Sequence, residues 1–283
     1  VDQPINPEKL RAELVTLVSS VEKFEETLST TDAAAVRKSF ETIRKSSPDQ
    51  GNRIAAAMAT HYFNFNLRVV ASEKFLSKLV GESPTKQGQV HDNILGANVS
   101  GNQTTTVNVG IDLKPNNNGI RLNLMADGVA RSNTVGVTSE ANIYTSGYHV
   151  FKASKLVTFD GNTFATGAAD VSVWPSNTTT GVSTKYSGML LFGGIADSIA
   201  RDEVAKRRGQ SEAIAADRVR SKVLPEFNHE VDTKIGDLNK NLEEKVNAKL
   251  REKDLMPSAT NYRTTEEDLR ANLRLMADRE LAG

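Results

Sequence analysis

The sequence predicts an α+β protein in which an antiparallel meander sheet lies between helical segments. In the middle of the 283-residue chain, apolar residues alternate with polar ones, as in Val107–Leu113 and Ile120–Ala126, which is the period of a half-buried strand. On either side, over Leu10–Leu28 and Leu224–Leu250, apolar residues recur every three or four positions, as on one face of a helix. We therefore expect an N-terminal helical hairpin, then the sheet, then a very long C-terminal helix that packs on the sheet or extends from it.

Residues 1–60 are predicted to form the N-terminal helices. Apolar positions spaced by three or four residues make one stripe on the first helix, and Thr31 or Asp32 can cap the second. The stretch Ser47–Gly51, with Pro and Gly, ends the second helix. Two antiparallel helices joined by a short turn are the simplest interpretation.

Residues 61–188 are predicted to contain a strand, a short helix and then the antiparallel β-unit. The strand is expected at Phe63–Val69, where apolar and polar residues alternate. Ser72 suits the N-cap of a short helix that reaches Val80. From about residue 93 to residue 187 the chain is rich in Thr, Asn, Ser, Gly and Val and carries few charges, as expected for hairpin-connected strands.

Turn residues divide this β-unit into hairpins. Asn116–Gly119 contains the Asn-Gly pair that tight hairpins prefer, because both central residues need positive φ. Ser100–Asn102 and Asp160–Asn162 are interpreted as further hairpin turns. Asp127–Gly128 falls inside a strand pattern and therefore predicts a β-bulge.

Residues 189–257 are predicted to form the long helix, kinked near position 225 because Pro225 removes an internal hydrogen bond. Residues 201–211 are polar nearly all round, which indicates a solvated or loose stretch. An apolar stripe with an eleven-residue period follows, and such a period keeps a nearly straight face. We call these residues the stripe and predict that they form an interaction surface: Leu224, Phe227, Val231, Ile235, Leu238, Leu242, Val246 and Leu250. The stripe can pack on the protein's own sheet or N-terminal helices, or on another copy of the chain.

Residues 258–283 are predicted to form a terminal strand. Alternation over Leu269–Leu275 favours a strand, although a helix capped by Thr264 also fits the spacing. The segment Arg121–Asp127 resembles Asn272–Asp278, which tips the interpretation towards a strand. This similarity also suggests that a further β-unit starts here and that the chain is part of something longer.

The composition excludes several classes of chemistry. The chain has no cysteine, so disulfides, thiol catalysis and Cys-ligated zinc are excluded. Its formal net charge is zero, which argues against nucleic acid as a partner. No apolar run is long enough to predict a transmembrane segment. Four scattered histidines show no metal-binding spacing and are interpreted as structural or surface residues: His61, His91, His149 and His229. We predict no catalytic residue, no cofactor and no metal.

Several short segments resemble a group of large uncharacterised exported proteins of planctomycete bacteria. The resemblance rests on Asn93–Val99, Ile143–Gly147, Ala213–Asp217, Val223–Asn228 and Thr264–Leu269. It covers about two thirds of the chain. The resemblance implies an exported protein of the periplasm or cell envelope with its leader removed, and it implies no activity.

Two functions are compatible with these features. The first is a non-catalytic structural or assembly protein of the bacterial cell envelope, whose partners would be other copies of itself or other envelope proteins. The alternative is a module that binds lipid or another apolar ligand, similar to tubular lipid-binding proteins, in which a curved sheet wraps a long helix. The apolar sheet face expected opposite the helix carries Val107, Val109, Ile111, Leu113, Leu122 and Leu124.

Overall fold

The computed structural model describes residues 7–46, 48–59, 61–81, 83–188, 193–278 and 280–281. It confirms the predicted α+β class: N-terminal helices, a five-stranded antiparallel meander and a long C-terminal helix packed against it. The helices are α1 (Pro7–Thr27), α2 (Thr30–Ser46), α3 (Pro48–Met58), α4 (Glu73–Val80), α5 (Gly193–Asn241) and α6 (Ala248–Glu252), and a π-helical turn (Leu242–Asn247) joins the last two.

The strands form two sheets. They are β1 (Leu67–Ser72), β2 (Thr85–Ile94), β3 (Ala97–Leu113), β4 (Ile120–Val137), β5 (Ala141–Phe159), β6 (Phe164–Thr184), β7 (Pro257–Thr264) and β8 (Asp268–Leu275). The larger sheet follows the chain in the order β2-β3-β4-β5-β6, and the smaller one has the order β1-β8-β7. All pairs are antiparallel.

The N-terminal helices bury a core of their own. Leu17 and Phe24 of α1 pack with Val36, Phe40 and Ile43 of α2, as the three-to-four-residue spacing predicts. A third helix follows, and the break predicted over Ser47–Gly51 was wrong for Pro48–Gly51, which are helical. Ser47 lies outside the described residues, and α3 begins at Pro48, where a missing N–H carries no penalty.

The N-cap of α2 is Ser29, and the expectation that Thr31 or Asp32 caps this helix was wrong. Ser29 Oγ accepts a hydrogen bond from the Asp32 backbone N–H (3.1 Å) and donates one to the Asp32 carboxylate (2.6 Å). This pair caps the N-terminus of the helix. Together with the Thr27 hydroxyl, it lowers the pKa of Asp32 to about 2.

The meander confirms one of the predicted turns and corrects other details. Asp160–Asn162 connects β5 to β6, and Asn116–Gly119 lies in the connection between β3 and β4. This connection runs from Lys114 to Gly119, and Gly119 has positive φ whereas Asn118 does not, so the tight turn expected of the Asn-Gly pair is absent. Ser100–Asn102 is not a turn, because these residues continue the ladder between β2 and β4, and the chain reverses at Leu95 and Gly96, which have positive φ.

The predicted bulge at Asp127–Gly128 is absent. Both residues keep an unbroken register with β3 and with β5. Gly128 serves a packing role, since a Cβ there would lie 2.0 Å from Cζ of Phe151. The glycine therefore makes room for the buried Phe151 ring on the inner face of the sheet.

Helix α4 covers part of one edge of the sheet. Ser72 caps it as predicted and accepts a hydrogen bond from the Phe75 N–H. Ser77 Oγ donates to the Ile111 carbonyl (3.1 Å) and accepts from the Ile111 N–H (3.0 Å), while Glu73 accepts from the Leu113 N–H. These side chains supply hydrogen-bond partners for backbone groups in the part of β3 that extends beyond β2.

Helix α5 covers the opposite edge, on β6. Four of its side chains bind backbone groups of that strand: Asp197 at Thr184, Glu212 at Asn177, Arg220 at Val171 and Asn239 at Phe164. Asn239 binds both the N–H (2.7 Å) and the carbonyl (2.9 Å) of Phe164. The helix therefore takes the place of a sixth strand along this edge.

The same helix also reaches the other edge strand, β2. Arg218 pairs with Asp92 at 2.8 Å, and Lys86 approaches Glu226 at 3.8 Å. In a flat five-stranded sheet the edge strands would stand about 19 Å apart, whereas a helix with its side chains is only about 10–12 Å wide. The sheet must therefore curl around α5 as a trough.

One half of this trough is filled. Leu113, Leu122 and Val157 of the sheet pack against Val231 and Ile235 of α5. Lys155 is also buried there, at 2% exposure, and its Nζ donates to Asp232 (2.6 Å) and to Asn228 Oδ1 (2.7 Å). The charge can be buried because both contacts come from the helix that closes the trough.

The long helix differs in detail from its prediction. Residues 189–192 lie outside the described part of the chain, and α5 continues as helix through Pro225. The described irregularity is the π-helical turn after Asn241. A kink near position 225 stays a prediction.

The smaller sheet joins the N-terminal and C-terminal regions. The strand expected at Phe63–Val69 begins later, at Leu67, because Phe63 has a φ of 58° and stacks on Phe40 of the helical core. The terminal strand is confirmed as β8, which pairs with β7 and with β1. A further β-unit beginning in this region stays a prediction.

Thr264 links the two sheets. Its backbone N–H and carbonyl bond to Asn116, each at 2.9 Å, and its hydroxyl donates to the Lys114 carbonyl at 2.6 Å. Thr264 is only 2% exposed. The end of β7 is therefore tied to the β3–β4 turn.

We expect Asn239→Ala to lower the free energy of unfolding by about 1–3 kcal/mol, because Phe164 would lose partners for its N–H and its carbonyl. Urea denaturation measures the change, and hydrogen exchange should show faster exchange at the Phe164 amide. Asn241→Ala is the matched control, since Asn241 is exposed and its side chain makes no cap hydrogen bond. Equal effects of the two variants would contradict this account of the β6 edge.

Candidate functional site

The other half of the trough is hollow. A cavity of about 1200 Å³ lies between the first half of α5 and the neighbouring ends of β2 to β6. Ordinary small-molecule pockets measure about 300–1,000 Å³. The space is therefore large enough for an extended ligand.

Several of the helix residues that line this space are small. In the filled half, α5 projects Phe227, Val231 and Ile235 towards the sheet. In the hollow half, it presents residues such as Ala200 and Ala215 to the cavity. The sequence pattern in residues 201–211, which indicated a solvated stretch, belongs to the part of the helix that covers the cavity.

The mouth of the cavity includes three large apolar residues. Leu95, Tyr186 and Ile199 line the cavity and are also solvent-exposed, by 40%, 48% and 65%. Residues with both properties mark where the cavity meets the surface. Leu95 has a φ of 52°, so the β2–β3 turn holds this side chain in a backbone conformation that leucine rarely adopts.

The charged residues around the cavity largely neutralise one another. Three arginines that line it pair with carboxylates: Arg207 with Glu203 (2.8 Å), Arg208 with Glu212 (3.0 Å) and Arg218 with Asp92 (2.8 Å). These pairs leave little net positive charge to attract an anion. The cavity therefore favours a ligand that is apolar or carries a neutral polar group.

The floor of the cavity carries a polar cluster, which we define as Ser132, His149 and Asn177. Ser132, Gly147 and Asn177 lie side by side in the register of β4, β5 and β6. From the position of a Cβ at Gly147, Ser132 Oγ would lie at 2.5 Å, His149 Nε2 at 2.7 Å and Asn177 Oδ1 at 3.2 Å. The absence of a side chain at Gly147 therefore makes room for three polar side chains that converge above it.

His149 stands where the cavity ends and the core begins. It lines the cavity at 6% exposure, and the next inward-facing residue on β5 is the buried Phe151. Within the described ranges, His149 Nδ1 is the buried side-chain polar atom that has no hydrogen-bond partner. An unpartnered buried polar atom costs about 1–3 kcal/mol. The position of this imidazole is therefore not explained by stability.

Burial lowers the pKa of His149. The nearby Glu212 carboxylate and a hydrogen bond with the Asn177 side chain oppose this effect without cancelling it. The imidazole is therefore neutral at pH 7, since its pKa lies below the ordinary value of 6.5. Glu212 itself has a lowered pKa, mainly because it accepts a hydrogen bond from the Asn177 backbone N–H.

The apolar sheet face predicted opposite the helix is confirmed in most of its residues, but it packs in the filled half of the trough and not at the cavity. None of the six residues proposed for this face lines the cavity: Val107, Val109, Ile111, Leu113, Leu122 and Leu124. Leu113 and Leu122 belong to the filled core instead. The cavity wall on β4 to β6 contains many Thr and Ser residues, which alternation of large apolar residues does not reveal.

The stripe on the long helix contacts the protein's own sheet over part of its length. Val231 and Ile235 are buried in the core, and Leu224, Phe227 and Leu242 pack against its edges. Leu250 is half-buried, whereas Leu238 and Val246 are 43% and 47% exposed. An interaction with another molecule through the stripe stays a prediction.

The remaining histidines do not assemble a metal centre with one another. Among the residues that the structure describes, no group of three or more His, Asp or Glu side chains has the geometry to hold a metal ion.

The helices of the described ranges include none with the length and apolar character to cross a membrane.

His149→Leu is expected to leave the free energy of unfolding at neutral pH within about 1 kcal/mol of wild type, or to raise it, because an unpartnered nitrogen is removed. Below pH 6.5 the unfolded chain takes up a proton that the folded state resists at His149. The wild type should therefore lose stability as the pH falls, and His149→Leu should lose less. Chemical denaturation at neutral and at mildly acidic pH measures the difference. His91→Leu, which removes an exposed histidine, is the control, and identical pH profiles for both variants would contradict a lowered pKa.

Comparison with known proteins adds no assignment. No protein-family model matches the chain, and no curated protein matches it. The resemblance carried by segments such as Ile143–Gly147 therefore stays a prediction. The function must be argued from the cavity itself.

Proposed function

We propose that this protein binds an apolar or amphipathic ligand, such as a lipid, in the cavity between the sheet and α5. The observation that carries the proposal is the cavity volume of about 1200 Å³ next to a filled core. Protein interiors are normally close-packed, and voids larger than a water molecule are few. A space of this size is therefore best explained by a molecule that occupies it.

The surroundings of the cavity support this choice. The exposed Leu95, Tyr186 and Ile199 at the mouth would let an apolar chain enter with little contact with water. The balanced charges fit a ligand without a strong negative charge. The curled sheet on a long helix is similar to tubular lipid-binding proteins, although fold similarity alone does not establish function. The proposed role is non-catalytic, in the periplasm or cell envelope of a bacterium.

Ala215→Trp is expected to weaken the binding of single-chain lipids at least about tenfold, because the indole would fill space that the ligand needs. Ala215 lines the cavity and is half-buried. Native mass spectrometry after incubation with a mixture of neutral and anionic single-chain lipids measures the bound fraction. The matched control is Ala213→Trp, two residues away on the exposed face of α5.

Two results would contradict the proposal. The first is that wild-type protein binds no lipid at concentrations where the lipids remain dispersed. The second is that Ala215→Trp and Ala213→Trp bind lipid equally well, since the bound lipid would then lie outside the cavity. Circular dichroism and thermal melting establish that both variants are folded.

A second candidate function is self-assembly, and a different surface favours it. Strand β1 pairs with β8 on one side only, among the described residues. Its Val70 is 63% exposed, and Phe75 and Leu79 of the adjacent α4 are 53% and 67% exposed. An unprotected strand edge beside apolar side chains is a site where a second copy of the chain can pair. This observation supports the structural or assembly role in the cell envelope.

Under the assembly proposal, Val70→Lys should convert an oligomer into a monomer, because a charge on an edge strand opposes pairing. Light scattering over a range of protein concentrations measures the mass. Arg68→Lys on the same strand keeps the charge there and serves as the control. A wild-type mass equal to the monomer at every concentration would remove this candidate and leave the lipid-binding proposal untouched.

A further inference from the structure

The polar cluster lies at the floor of a cavity whose mouth includes Leu95, Tyr186 and Ile199. Ser132 Oγ and His149 Nε2 come from neighbouring strands and approach the same space above Gly147. Asn177 Oδ1 approaches it from the third strand. A ligand that entered with an apolar chain at the mouth would meet these groups at its inner end.

We propose that Ser132, His149 and Asn177 form a subsite for a neutral hydroxyl group carried by the ligand of this cavity. The inference rests on the proposed lipid-binding function and names the class of ligand: an elongated apolar molecule with a hydroxyl group at one end. Long-chain alcohols and other hydroxylated neutral lipids belong to this class.

The hydrogen-bonding capacity of the polar cluster fits a hydroxyl group. The neutral His149 ring forms a hydrogen bond with the Asn177 side chain. Ser132 Oγ can then both donate and accept, and Asn177 keeps donor and acceptor capacity in its amide. A hydroxyl group also donates one hydrogen bond and accepts others, whereas an ether or ester oxygen only accepts.

An anionic group fits the polar cluster poorly. His149 is neutral at pH 7, and the Glu212 carboxylate acts electrostatically on it. The Arg208 guanidinium near this position is already paired with Glu212 at 3.0 Å. A carboxylate or phosphate here would therefore be buried close to another negative charge.

The unsatisfied imidazole of His149 is independent support. His149 is only 6% exposed, yet its Nδ1 atom has no hydrogen-bond partner among the described residues. Buried polar groups in folded proteins are normally satisfied, and a polar cluster left incomplete by its own chain is typical of a binding site.

The test compares three probes that differ only at one end: hexadecanol, hexadecyl methyl ether and palmitate. Their affinities are measured by competition against a fluorescent apolar probe at neutral pH. Wild-type protein should bind the alcohol about tenfold more tightly than the ether, which is the effect of one hydrogen bond. Ser132→Ala and His149→Leu should each reduce this preference while leaving the affinity for the ether nearly unchanged.

Ser176→Ala is the matched control, because Ser176 neighbours Asn177 in sequence but is exposed on the outer face of β6. It should keep the wild-type preference. Ser132→Ala also keeps the test valid if His149→Leu fails to fold, which circular dichroism detects.

The outcomes separate this inference from the function on which it rests. If none of the probes binds, the proposed function and the subsite are both overturned. Equal binding of alcohol and ether, or tighter binding of palmitate than of the alcohol, overturns the subsite and leaves the cavity as a lipid site. A preference for the alcohol that persists in both Ser132→Ala and His149→Leu also overturns it.

Discussion

The structure depends on the hydrogen-bond partners that the backbone groups on the free edge of β6 find. An edge strand presents a line of unpaired N–H and carbonyl groups, which must find partners or invite other chains. Side chains of α5 supply these partners from Asp197, opposite Thr184, to Asn239, opposite Phe164. The 20 steps of strand span about 66 Å at 3.3 Å each, and the 42 steps of helix span about 63 Å at 1.5 Å each. The length of the helix therefore matches the length of the edge that it covers.

This constraint also explains why a cavity forms. A helix that follows the whole of β6 must run past both halves of the curled sheet, whatever side chains it carries. Where it carries Phe227 and Val231, the space between helix and sheet is filled. Where it carries Ala200 and Ala215, the backbone stays in place because Asp197 and Glu212 hold it to the strand. The polar contacts along β6 thus keep the cavity open without a core beneath the helix.

The sequence predicted the fold more fully than the site. Alternation over Val107–Leu113 and the Asn-Gly pair before Ile120 identified the strands and the connection between them, because burial of one sheet face imposes a period of two. Ser100–Asn102 and Gly128 were misinterpreted because glycine in a strand can serve close packing as well as a turn or a bulge.

The cavity escaped prediction for a physical reason. A cavity leaves no periodic pattern of apolar residues in the sequence. The helix that covers it has a sequence typical of a solvated helix, because part of its surface faces the solvent. His149 was interpreted as structural or surface, since no spacing in the sequence relates it to Ser132 or Asn177. Only the register of β4, β5 and β6 brings these residues together. Lys155 is a similar case, because its burial depends on Asp232 and Asn228 of the distant helix.

The two sides of the trough are closed with unequal strength. On the β6 side, hydrogen bonds are reinforced by apolar packing of Val171 against α5. On the β2 side, the strand is mostly exposed and its contacts with the helix include the Arg218–Asp92 and Lys86–Glu226 ion pairs. Exposed ion pairs contribute at most about 1 kcal/mol each and weaken as salt is added. Added salt should therefore weaken the contacts between α5 and β2 more than those between α5 and β6.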